Sequence, residues 1–147
     1  MGGFRYVDML LKEFEVNKGL LQFDFRGGTF SDTSLELVSI KFPQLRELIL
    51  DYIQVTTQGL TSLLKLKKLQ GFNLNHCGIS DHALDTFSKL PKLQMLQLRN
   101  TKISLKSVQT FARKHPKCLV AYGNGIDDVF LNEDHFDEVA YDKELES

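Results

Sequence analysis

Leu45-Arg-Glu-Leu-Ile-Leu-Asp-Tyr-Ile-Gln-Val-Thr-Thr-Gln-Gly-Leu60, Leu69-Gln-Gly-Phe-Asn-Leu-Asn-His-Cys-Gly-Ile-Ser-Asp-His-Ala-Leu84 and Leu93-Gln-Met-Leu-Gln-Leu-Arg-Asn-Thr-Lys-Ile-Ser-Leu-Lys-Ser-Val108 align with one another without a gap. Their first residues follow at a constant spacing, and the apolar residues fall at the same offsets in each. Self-similarity at a fixed period is the mark of stacked structural units. A further copy precedes them, one residue longer, with Leu20, Phe23 and Phe25 at the first offsets and Phe30 to Leu35 in the place of Ile79 to Leu84.

Each copy has two halves. The first, apolar-x-x-apolar-x-apolar, alternates as a short strand with one buried face does. The second opens on Ser31, Thr56, Ser80 or Ser104, which are good helix N-caps. Apolar residues three or four apart follow, as in Leu84, Phe87 and Leu90, so a helix of two or three turns is predicted. A strand and a helix of this size cannot bury their apolar sides alone. Successive copies must therefore stack on a shared core, with parallel strands lining one face.

The spacing resembles leucine-rich repeats of the ribonuclease-inhibitor-like class over residues 20–122. The stretch Leu74 to Leu84, with Cys77 in its turn slot, resembles the cysteine-containing repeats of F-box/leucine-rich-repeat proteins. The resemblance implies an α/β solenoid, with parallel strands on a concave face and short helices on a convex one. It also implies a surface for recognising other proteins. No F-box-like helical segment precedes the copies, so coupling to a ligase is not expected.

The ends are expected to carry caps, because a stack otherwise exposes its core and a raw strand edge. Residues 1–19 form the N-terminal one, a helix with Phe4, Val7, Leu10, Leu11 and Phe14 at helical spacing. His115 to Tyr122 supply a terminal strand, in which either Cys118 or a neighbour takes the first slot, and Gly123-Asn124-Gly125 marks a turn. Residues 123–147 are expected to be an acidic cap that fades into a disordered end.

Composition bounds the rest. The chain has 147 residues, 42% of them hydrophobic and 25% charged, as expected for one globular core. Its net charge of −1 conceals 17 Lys and Arg against 10 Asp and Glu over residues 1–126, and 1 against 9 over residues 127–147. No run of apolar residues is long enough to span a bilayer, and no targeting segment opens the chain. A soluble cytoplasmic protein is expected, with the nucleus as the alternative setting. Cys77 and Cys118 are too few for a disulfide framework and are expected to be free thiols.

Strand residues between the buried ones point to the opposite face. The residues expected to be exposed there, and so to meet a protein partner, are Arg26, Glu47, Ile49, Asp51, Tyr52, Asn73, Asn75, His76, Met95, Gln97 and Arg99. Aromatic, Met and Arg side chains are frequent interface anchors. Ile49 is equally well read as a strand former, and Tyr52 and Met95 as packing on their neighbours. Gly71, in the middle of the face, either makes room for a partner's side chain or is simply tolerated in a short strand.

Catalysis is not expected. Cys77 beside His76, near Asp81 and His82, invites a nucleophile hypothesis, but its turn slot favours a buried structural thiol. His115-Pro-Lys-Cys118 lacks the second ligand pair a zinc site needs, and the acidic tail lacks the EF-hand order. No nucleotide-binding or hydrolase motif is present, so no cofactor or metal is expected. Lys65, Lys67, Lys68, Lys89 and Lys92 lie at helix ends without interleaved aromatics, so a nucleic-acid partner is not expected either. The leading expectation is a protein-binding module working through its strand-lined face, within a larger complex. The alternative is an assembly or scaffolding subunit held by its ends or its acidic tail. An enzyme using Cys77 ranks third.

Overall fold

A computed structural model describes residues 3–27 and 30–146, with side chains from Val7 onward. The helix expected at the N-terminus, α1, spans Gly3–Glu13, and the Phe4 side chain and Gly28 lie outside the described residues. Each copy then contributes one strand: β1 (Gln22–Asp24), β2 (Glu47–Ile49), β3 (Gly71–Asn73) and β4 (Met95–Arg99), with β5 (Leu119–Gly123) after them. These five run parallel in sequence order, and β6 (Val129–Leu131) joins β5 antiparallel to complete a mixed α/β fold with a six-stranded sheet.

The register is that of the sequence copies. Gln22 faces Glu47, Glu47 faces Gly71, Gly71 faces Met95 and Met95 faces Leu119. Leu48, Phe72, Leu96 and Val120 therefore form one inward row, and all four are fully buried. The same register resolves the last strand: with Leu119 opposite Met95 and Val120 opposite Leu96, the first slot, that of Leu93, falls to Lys117, the neighbour of Cys118.

Between the strands lie α2 (Asp32–Lys41), α3 (Thr57–Leu60, continued by a 3-10 turn over Thr61–Lys65), α4 (Ala83–Phe87) and α5 (Leu105–Lys114). Leu35, Val38, Leu60, Leu63, Leu84, Phe87, Val108 and Phe111 from these helices join the inward strand residues in one core, which puts the helices on one side of the sheet. Ser31, Thr56 and Ser104 cap their helices, each accepting from the amide three residues on. Ser80 departs from the expectation. The helix of that copy begins at Ala83, two residues later than a Ser80 cap would start it, and its cap residue His82 makes no side-chain cap hydrogen bond.

The caps are handed from copy to copy. The Asp32 carboxylate accepts from the Thr56 amide (2.9 Å) and hydroxyl (2.6 Å), and Asp81 accepts from the Ser104 amide (2.7 Å). Gly59 leaves the space this requires, since a β-carbon there would strike the Asp32 carboxylate.

At the N-terminal end α1 packs against α2, burying Leu11 and half-burying Val7, while Leu10 and Phe14 stay exposed. It leaves the outer edge of β1 without a strand neighbour among the described residues. At the other end the edge of β5 is closed by β6. Asn132 clamps this closure, its side-chain nitrogen lying within 3.0 Å of the carbonyls of Ala112, His115 and Cys118, in the last turn of α5 and the link to β5. The expectation of a disordered end is not met. Residues Glu138–Glu146 form a helix, α6, with Tyr141 and Leu145 one turn apart and buried.

Phe72 fills the centre of the core edge-to-face with Phe87, at 5.6 Å. Phe72→Ala is expected to cost about 3–5 kcal/mol, measured as the loss of unfolding free energy in urea.

Candidate functional site

The helices cover one face of the sheet, so the outward strand residues make up the other, hereafter the open face. Two regions of this face differ in what occupies them.

The first lies at the start of the strands, beneath α6. Gly71 has no side chain, and the Tyr141 ring enters the space: a β-carbon at position 71 would fall on the Tyr141 hydroxyl. Of the two readings of Gly71, the structure favours a notch for a side chain, and the side chain is the chain's own. Glu144, one turn further on, accepts from the Gln70 and Gln94 side-chain amides, and the Arg46 guanidinium donates to the Glu144 carbonyl. Phe136 packs on Tyr141 at 5.4 Å. None of these tail contacts was expected. The signals in the sequence were the Tyr141/Leu145 pair at helical spacing and the glycine in mid-strand.

The fit is imperfect. Among the described residues two buried side-chain oxygens of β3 and its approach, Gln70 Oε1 and Asn73 Oδ1, have no hydrogen-bond partner. Each such atom costs about 1–3 kcal/mol. Glu47 is half-buried under α6, and burial raises its pKa, helped by the charges of Asp142 on α6 and Asp24 on β1 and partly opposed by the Tyr141 hydroxyl. The helix thus sets Asp142 against a like charge. Burial likewise raises the pKa of the Tyr141 hydroxyl.

The second region lies at the ends of the strands. Gly27, Tyr52, His76 and Asn100 occupy the same slot of successive copies, and all four have positive φ. Glycine and asparagine tolerate that conformation. For Tyr52 (φ 62°) and His76 (φ 59°) it is unusual and costs about 1–3 kcal/mol each. Their rings stack face to face at 4.2 Å and 6°, and Tyr52 keeps 57% of its surface exposed. The Asn100 amide continues the row, 3.4 Å from His76 Nε2.

Of the other residues expected on this face, Arg26 is exposed and forms a two-pronged pair with Asp24 at 2.9 Å. Ile49, Asn73, Met95 and Gln97 are half-buried. Asp51 and Asn75 do not belong among contact residues, because both are buried. Their side chains complete the backbone instead: Asp51 Oδ1 accepts from the Asn75 amide and Asn75 Oδ1 from the Arg99 amide, each at 2.9 Å. A residue at the end of a short strand has an amide that the ladder does not reach, and these side chains supply the acceptor. Arg99 is drawn toward the C-terminal turn. Its guanidinium binds Asp128 at 2.5 Å and lies 5.6 Å from the Phe130 ring, and the pairing holds the Asp128 carboxyl below its ordinary range.

Cys77 is buried, donates to the Leu50 carbonyl at 3.1 Å, and has its thiol pushed up to about 11 by burial. Cys118 is buried as well, its thiol pushed up to about 12. Neither is a thiolate near neutral pH, so neither is poised for attack. Among the described residues no group of three or more His, Cys, Asp and Glu side chains is placed to hold a metal ion, and no helix is long and apolar enough to cross a membrane. No protein-family model and no curated protein matches the chain.

Two outcomes are expected. A small disulfide reagent should label Cys77 in the native protein slower than in the unfolded chain by about two orders of magnitude or more, followed as absorbance of the released thiol. Because the Glu47 pKa is raised when α6 is docked, docking binds a proton; it is firmest at acid pH and weakens as pH rises through that raised value. Amide protection factors along α6 should therefore be higher at about pH 5 than at about pH 7, and Glu47→Gln should flatten the difference.

Proposed function

We propose that the chain is a leucine-rich repeat solenoid that acts as a protein-binding module, with the strand-lined face as its recognition surface, in a cytoplasmic or nuclear setting. Sequence copies that each supply one parallel strand, in order and in constant register, support the solenoid reading. The observation that carries the binding role is the Tyr52–His76 stack. Two bulky rings stand on left-handed backbone, where asparagine or glycine would cost less, and present a largely exposed surface. Strain of this kind persists where the side chain is needed. An exposed aromatic platform with an amide beside it is suited to protein contact. Buried, protonated thiols and the absence of a catalytic motif favour binding over catalysis.

A second reading, an assembly subunit held by its ends, is favoured by the N-terminal edge. There β1 has no outer strand neighbour among the described residues, and Phe14, Val16, Leu20, Phe23 and Phe42, with Glu15, Asn17 and Lys18, line a groove.

Tyr52→Asn/His76→Asn separates the two. Asparagine relieves the backbone strain, so thermal stability is expected to hold or to rise by about 1 kcal/mol. Proteins captured by the full chain from a source-cell lysate and identified by mass spectrometry should be lost with the variant. Unchanged capture would instead favour the ends.

A further inference from the structure

Next to the Tyr141 notch the open face continues into a groove lined by Arg46, Lys67, Lys68, Lys92 and Lys117, with Glu144 as the one carboxylate in the lining. The chain's own helix thus meets a strongly basic wall with a single acid. It sets Asp142 against Glu47, and it leaves Gln70 Oε1 and Asn73 Oδ1 without partners. The notch and the two glutamine amides are matched, whereas the charge and part of the hydrogen bonding are not. A seat with this pattern accepts a helix of the same form and favours one with different charges.

We infer that this seat recognises, in a protein partner, a short acidic helix with a tyrosine and a leucine one turn apart, and that Glu138–Glu146 is a built-in competitor for it. The inference rests on the binding-module reading above and names the class of partner. The tyrosine ring fills the space over Gly71 as Tyr141 does, and the leucine takes the place of Leu145. An acid just before the leucine meets Gln70 and Gln94 as Glu144 does. Further acids beyond it face Lys67, Lys68, Lys92 and Lys117. A neutral residue directly after the tyrosine removes the repulsion that Asp142 brings against Glu47. A partner built this way displaces α6 because its charges suit the seat better than those of α6.

The test uses the full chain and a labelled synthetic peptide copying residues 136–146 with Asp142→Ala, titrated by fluorescence anisotropy. The variant Tyr141→Ser/Leu145→Ser vacates the seat and is expected to bind the probe at least about tenfold more tightly than the wild type does. Tyr141→Ala in the probe should abolish binding, and so should Gly71→Leu added to the vacated chain. Raised salt should weaken it. Should the double variant lose the wild-type circular dichroism spectrum, Glu144→Ala takes its place, since Glu144 is exposed and outside the core, and a several-fold tightening is then expected. Equal affinity for wild-type and vacated chains, binding that survives Gly71→Leu, or no binding to a folded vacated chain would each overturn the inference. Such a failure leaves the loss of lysate partners with Tyr52→Asn/His76→Asn as a separate result, so the two readings fall independently.

Discussion

Neighbouring strands of the parallel sheet hydrogen-bond at a displacement of one repeat, and the rest of the molecule depends on that shared register. It aligns Leu48, Phe72, Leu96 and Val120 into a buried row, and it delivers Asp51 to the amide of Asn75 and Asn75 to the amide of Arg99. On the helical side it brings Asp32 to the cap of α3 and Asp81 to that of α5. A slip of one residue would turn every leucine outward, so the buried row and the polar ladders enforce the same alignment.

The register also determines what the open face offers. Residues at equal offsets form columns across the strands, so a single glycine in one column becomes a notch with neighbours on both sides, and positive-φ residues in another become a continuous row. Tyr141 occupies the notch, and the Tyr52–His76 stack stands in the row. The face is divided between a covered half and an exposed one. In the covered half the strain is electrostatic, through Glu47, Asp142 and the unpartnered polar atoms; in the exposed half it lies in the backbone of Tyr52 and His76.

Much of the architecture was legible because a repeat states its structure several times. Alternation marked the strands, serine and threonine marked three of the four helix starts, and constant spacing implied the parallel order. Ser80 misled because a cap residue acts only if the chain turns directly after it, and here the helix begins beyond His82. Asp51 and Asn75 misled for a related reason. Alternation assigns them an outward direction, but their short polar side chains turn back to the amides of the next copy. Tyr52 and His76 were recognised as exposed, whereas the left-handed backbone beneath them, signalled only by Gly27 and Asn100 in the same slot of other copies, was not.

The sequence by itself determined the period, the alternation and the inward apolar row, because these depend on residues a few positions apart and recur in every copy. Only the tertiary structure decided where residues 138–146 go. Tyr141 meets Gly71, and Glu144 meets Gln70, across some seventy residues of chain. A helix with one tyrosine and one leucine on a side is compatible with many surfaces. The choice among them is made by the shape and charge of a face that exists only once the copies have stacked.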